Sequence, residues 1–300
     1  MTVKEPVTVR QSEPPRPFIS EVVKKLFWPI GLLTVLVAAC LRLGGLASKP
    51  GWEWDEGVYA NVSKALAETG LIQVKTEYLS QPEPYLYHPP FHFWLESAWF
   101  TLVGSGITQA RLLAVVSSLL ALLLLLVLLR NIIGAWALGA VALIAIDAWL
   151  IFSQRVSWIE NTLILVGVIG LCIYQQALLR RSLWLFGIAG VAIGMAVLYK
   201  HVGVIFLGAV VINAILTRRH KRGHAIMAAV VAALGVLYVT VMVLQYCATF
   251  IAESTVQLMR STGKQPSTGA LNSLTDIITP LLAQYKIFVA TLALAGVSAV

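Results

Sequence analysis

The side chains able to do chemistry are few in this 300-residue sequence, and they stand out against long apolar runs. Asp55 and Glu56 crowd into "WEWDEGVYANVSKAL", just after the first of those runs, and Glu160 sits at the mouth of another in "SQRVSWIENTL". A carboxylate beside a hydrophobic span is costly unless it faces protein or a wet cavity, so such positions point to function by default. Arg42, Arg155 and Lys200 flank the same kind of boundary. Three cations at one leaflet, where phosphate headgroups lie, suit an anionic ligand: arginine offers a planar fork and lysine a point charge to phosphate oxygens. His88, in "EPYLYHPPFHFW", His201, beside Lys200, and Tyr59 complete the candidate set as substrate-binding residues. Each also has a plainer reading. Asp55 can be a helix N-cap and Glu56 a partner of the helix dipole. Arg155 and Glu160 can pair locally, Lys200 and Arg42 can snorkel to the interface, and His88 can be a polar loop residue. Trp52, Trp54, Tyr59 and Trp94 can form a membrane belt or offer flat faces to a sugar or isoprenoid.

The elements that must position these groups follow from composition. Hydrophobic residues make up 58% of the chain, against 14 Asp and Glu in all. Mean hydropathy is +0.82. One soluble core cannot hide so much apolar surface, and the bilayer is the expected solvent. The net charge of +8 does not call for nucleic acid, because the basic residues cluster between apolar runs as cytoplasmic loops do. Cys40, Cys172 and Cys247 have no metal or disulfide spacing and read as packing residues. Residues 1–26 are polar and interrupted by "SEPPRP", the pattern of a disordered cytoplasmic tail, and 27–300 form the transmembrane domain. Asp147, inside the apolar "LIAIDAWL", invites an arginine partner.

Apolar runs at 27–47, 110–129, 133–152, 160–179, 183–200, 202–217 and 225–246 approach the ~20 residues that cross a bilayer. The shorter run 91–104 decides the topology. If it crossed, Arg130, Arg180, Arg181 and "RRHKR" would all fall outside, against the charge bias. It is therefore expected to lie in the interface as an amphipathic helix begun by Pro89-Pro90, with His92 and Glu96 one turn apart. Four segments then share the outer face: loop 48–109, the turn around 154–161, the 199–201 junction and the polar stretch 247–276. The final run, 277–300, ends on "LALAGVSAV" without a polar flank, as though cut within or just after a span.

Taken in order, "WDEGVYA", "HPPFHFW", Ala110-Arg111, "SQRVSWIEN" and "LYK" (Leu198 to Lys200) resemble the C-type (GT-C) membrane glycosyltransferases, in particular protein O-mannosyltransferases and bacterial lipid A aminoarabinose transferases. The likeness covers roughly residues 30–210. It implies an all-α polytopic membrane protein, a transmembrane helix bundle with a large first outer loop bearing interfacial helices. It also implies inverting transfer of a sugar from a polyprenyl-monophosphate donor to a hydroxyl of a protein, lipid or glycan at the extracytoplasmic face. Asp55 would be the general base or acceptor-orienting acid, accompanied by Glu56, with Glu160 as the second-loop acid. Arg155, Lys200 and Arg42 would hold the donor phosphate. A divalent metal bridging Glu160 and phosphate is compatible with this chemistry, though no compact motif demands one. The sequence departs from the resemblance at His201, where a glycine is usual, and at His88, where relatives often carry lysine. Two other readings use the same residues: a polyprenyl-phosphate carrier or flippase that needs no base, and an inactive paralogue serving as a binding subunit.

Overall fold

The protein is described here from a computed structural model covering residues 18–51, 53–74 and 81–261. Its helices are α1 (Phe18–Leu43), α2 (Trp54–Thr69), α3 (Phe91–Val103), α4 (Ile107–Ile133), α5 (Trp136–Ile146), α6 (Ala148–Ser153), α7 (Ile159–Arg180), α8 (Leu183–Tyr199), α9 (Val204–Thr217) and α10 (Lys221–Ser261). Two short strands, β1 (Gln73–Val74) and β2 (Glu83–Pro84), pair antiparallel in the segment between α2 and α3. The stretches Lys24–Leu43, Ile107–Ile133, Ile159–Arg180 and Lys221–Cys247 are each long and apolar enough to cross a membrane, and α5, α8 and α9 are shorter apolar helices. Leu143, Leu179 and Leu244 are 69%, 67% and 80% exposed. Leucines turned outward from spans of this kind meet lipid rather than water. This is an all-α integral membrane protein, as expected.

Helices in lipid associate through close packing rather than through the hydrophobic effect, and small residues allow it. A Cβ at Gly170 would lie 2.7 Å from Ile193 of α8, and one at Gly194 would lie 2.8 Å from Leu234 of α10. The main buried cluster, including Tyr59, Val62, Phe93, Ile159, Leu163, Ile193 and Tyr199, joins α2 and α3 to α7 and α8. A second cluster of Phe27, Ala38, Leu126 and Val141 joins α1, α4 and α5.

The ends of the bundle differ. At one end Arg42 of α1 bonds Gln154, and Arg111 at the start of α4 bonds the carbonyls of Leu46, Pro50 and Gly51. α1 finishes and α4 starts at the same end, and α2 and α3, neither of them among the stretches long and apolar enough to cross a membrane, lie between them in the chain. At the opposite end Arg130 sits 4.8 and 4.9 Å over the rings of Phe27 and Trp28, Asn131 bonds Gln175 at 2.9 Å, and Tyr174 meets His224 at 2.8 Å. The basic loops therefore collect away from α2 and α3, the arrangement the charge bias requires.

Several boundaries differ from expectation. Helix α1 extends back to Phe18, so residues 18–26 of the expected tail are helical. The run 133–152 breaks at Asp147, which pairs with no arginine among the described residues; its carboxylate caps α6, accepting from the Leu150 N–H at 2.8 Å. Helix α10 continues through Ser261 past a non-helical Tyr246 (φ −140°, ψ 32°), so 247–261 is helical rather than loop. Helix α3 is amphipathic in the inverse sense: His92 and Glu96 face the protein, while Trp94 and Leu95 face outward. The run 277–300 and Trp52 lie outside the described residues.

Candidate functional site

The α2 helix begins at Trp54 with Glu53 as its N-cap, so Asp55 is not the cap. The Glu56 carboxylate reaches back to accept the Glu53 N–H at 3.2 Å, the returning half of a capping box. Gly70 closes the helix in the left-handed conformation, φ 75°, as its position in the sequence suggests. Consecutive residues on a helix point about 100° apart. Asp55 is consequently exposed, and Glu56 is fully buried.

Asp55 opens onto a cavity of about 380 Å³ lined by Trp54, Asp55, Val58, Tyr59, Tyr85, Tyr87, His88 and Lys200. Four of the expected site residues thus converge here from α2, the segment before α3 and the end of α8. Glu160, in the first turn of α7, joins them through Lys200, whose Nζ lies 2.5 Å from its carboxylate. Tyr59 meets His88 at 3.1 Å. Burial holds the Tyr59 phenol far above its usual range, with Tyr85, Asp55 and Glu160 adding to the shift, so it stays a neutral O–H.

Lys200 owes its position to a tight junction. The chain leaves α8 at Tyr199, makes a 3₁₀ turn over His201–Gly203 and enters α9. The Gly203 N–H donates to the Lys200 carbonyl at 2.8 Å. A Cβ on Gly203 would lie 2.0 Å from the Ala196 carbonyl oxygen, so glycine at this displaced position is what lets the turn close. The described structure places His201 in this turn and gives no account of its side chain.

Glu56, Arg42 and Arg155 do not line the cavity and are engaged with other segments. Glu56 is taken up by Arg111: Nε donates at 3.0 Å, Nη2 makes a second, shorter contact, and the Ser157 N–H adds a third bond at 3.2 Å. A buried bidentate pair of this kind is a structural tie. Arg42 is buried and donates to Gln154 Oε1 (2.7 Å), Ala145 O (2.9 Å) and Ala38 O (3.2 Å), stitching α1 to the broken end of α5. Arg155 does not pair with Glu160; it donates to the carbonyls of Leu41, Gly44 and Lys49 and latches the second loop onto the end of α1. In each case groups from a distant segment, invisible to local sequence, engage the charge: a guanidinium for Glu56, carbonyl and amide oxygens for the two arginines.

Residues 87–246, just over half of the chain, match the dolichyl-phosphate-mannose-protein mannosyltransferase family. The chain belongs to that family. No curated protein sequence matches it. Among solved structures it is similar to ArnT from Cupriavidus metallidurans bound to undecaprenyl phosphate, at 22% identity and a TM-score of 0.56, covering 91% of this chain and 50% of that one. ArnT in the apo state gives 20% identity and a TM-score of 0.55, covering 93% and 60%. The oligosaccharyltransferase AglB from Archaeoglobus fulgidus, in complex with an inhibitory peptide and a dolichol-phosphate, gives 16% identity and 0.54, covering 91% and 38%. At such identities the likeness is one of fold, and the fold is that of the C-type membrane glycosyltransferases. The chain spans about half the length of the ArnT chains it matches.

Among the described residues no three His, Cys, Asp or Glu side chains converge as a metal cage. An ion bridging Glu160 to a phosphate would compete with Lys200 for the same carboxylate. The sequence did not mark Tyr85 and Tyr87 as cavity walls, nor Arg111 as the partner of Glu56. The signal for Arg111 was present, since an arginine opening a long apolar helix needs a carboxylate or carbonyls nearby.

Proposed function

We propose that this protein transfers a sugar from a polyprenyl-monophosphate donor to an acceptor hydroxyl, inverting the anomeric carbon, at the extracytoplasmic membrane surface. The single observation that carries this reading is the shared cavity of Asp55 and Lys200, with the Lys200–Glu160 pair at its wall. Asp55 takes the proton of the acceptor hydroxyl, whose oxygen bonds the anomeric carbon as the carbon–oxygen bond to phosphate breaks. The leaving phosphate keeps the bonding electrons, and Lys200 offsets its growing charge. Glu160 holds the Lys200 ammonium at the wall until phosphate arrives. Tyr59, a neutral donor, and His88 contact the polar part of the substrate, and the faces of Trp54, Tyr85 and Tyr87 suit a sugar ring. Family membership and the lipid phosphates named in the similar structures support the donor class.

The test is to supply the purified protein in vesicles with radiolabelled polyprenyl-phosphate mannose and arabinose donors and follow label into product. Asp55→Asn should cut transfer by about 10²–10⁴ while donor still binds. A chain that moves labelled lipid between leaflets equally well with Asp55→Asn, and transfers nothing, would be a carrier instead.

A further inference from the structure

Directly behind the cavity lies a second polar cluster that touches no substrate space. Glu96 of α3 is fully buried. Its Oε2 accepts the Ser63 hydroxyl of α2 at 2.7 Å, and its Oε1 accepts the Ser157 hydroxyl, in the loop before α7, at 2.9 Å. One turn earlier on α3, His92 Nδ1 lies 3.0 Å from the Thr162 hydroxyl of α7. That hydroxyl donates to the Ile159 carbonyl at 3.0 Å, so the ring N–H must be the donor in the His92 contact. The ring of Tyr199, the last residue of α8, packs edge-on to the His92 ring with centroids 6.4 Å apart. The remaining His92 nitrogen, Nε2, has no other partner among the described residues and faces Glu96 Oε2 across 3.5 Å.

The connectivity decides what this cluster does. Ser63 lies on the helix that presents Asp55, Thr162 lies two residues after Glu160, and Tyr199 immediately precedes Lys200. The Glu96–His92 edge of α3 is therefore the hub to which Asp55, Glu160 and Lys200 are all referred. We propose that Glu96 is a positioning residue: its carboxylate fixes the α2 acid relative to the α7 acid and the α8 lysine, with His92 completing the bridge to α7. A buried carboxylate with two hydroxyl donors and a ring nitrogen beside it orients its neighbours far more sharply than apolar packing, since each bond is directional and desolvated. Truncating it removes both serine bonds at once. A shift near 1 Å between reacting groups costs about 100-fold in rate.

This inference rests on the proposed transferase chemistry for its kinetic readout, but a second readout does not. In the full-length protein in vesicles, Glu96→Ala should lower kcat about 100-fold per folded molecule with the donor KM within about 3-fold, the split expected of lost transition-state geometry. Glu96→Gln, whose amide can exchange hydrogen bonds with both serine hydroxyls and donate to His92 Nε2, should recover most of the rate. Spin labels at Lys64 on α2 and Trp149 on α6, both exposed, report the α2-to-second-loop separation after Cys40, Cys172 and Cys247 are replaced. Glu96→Ala should broaden that distance distribution and Glu96→Gln should restore it. An unchanged distribution overturns the proposal whatever the activity, as does a Glu96→Ala protein with unchanged kcat per folded molecule. A wild-type chain that transfers no sugar sinks the transferase reading and leaves the distance measurement to decide this one.

Discussion

Asp55 and Glu56 are neighbours of similar chemistry with opposite fates, and they stand for two layers of the molecule. In the front layer, Asp55, Lys200 and His88 border the cavity and Glu160 pairs with Lys200; Lys200 and Glu160 keep 20% and 35% side-chain exposure. The back layer, Glu56 with Arg111, Arg42 with Gln154, and Glu96 with Ser63 and Ser157, is buried and multiply bonded. A buried charge with several fixed partners has no capacity left for a ligand, whereas a half-exposed one can exchange its partner for substrate. Charge type therefore says little about role at this end of the bundle; the degree of prior engagement decides it.

The contrast can be broken most forcefully from the back. Arg111→Ala strands the Glu56 carboxylate in a dry site, and removing one partner of such a pair costs about 3–5 kcal/mol. Little folded protein should accumulate, as size-exclusion profiles and thermal unfolding in detergent will show. From the front, Asp55→Asn should leave those profiles unchanged and cut kcat by about 10²–10⁴, the usual contribution of a positioned base. If Asp55→Asn unfolds the protein instead, the two layers are not distinct. Lys200→Ala should weaken donor binding by about 10- to 100-fold, in line with the loss of a charged hydrogen bond, and Lys200→Arg should retain part of it; titration with polyprenyl phosphate measures both. Tyr59→Phe removes one hydroxyl contact with His88 and should cost about 1 kcal/mol in donor or acceptor binding. The exposed Lys64–Glu68 pair, 3.8 Å apart one turn along α2, belongs to neither layer. Replacing both with alanine should change stability by less than about 0.5 kcal/mol and activity not at all.

Much of this architecture was readable beforehand. The position of basic clusters relative to apolar runs was enough to expect α3 outside the bilayer, because an arginine loop on the wrong side is a cost that repeats at every loop. Gly70 as a helix end and the shortness of the Lys200 junction were equally local. The break at Asp147 was not readable: a short carboxylate in an apolar run can seek an arginine or cap a helix, and the choice turns on whether Arg42 reaches the freed Ala145 carbonyl. The partners of Arg42 and Arg155 were not readable for the same reason. Both looked like free cations because the carbonyls that absorb them lie more than a hundred residues away along the chain.

By itself the sequence determined the solvent, the spans and the end of the bundle at which polar groups gather, since these depend on summed transfer energies over ~20 residues and on loop charge. Only the tertiary structure decided which of those polar groups remain available. Hydrogen-bond partners are chosen across helices, and a carboxylate becomes a brace or a reagent according to whether a distant arginine or serine arrives within about 3 Å of it.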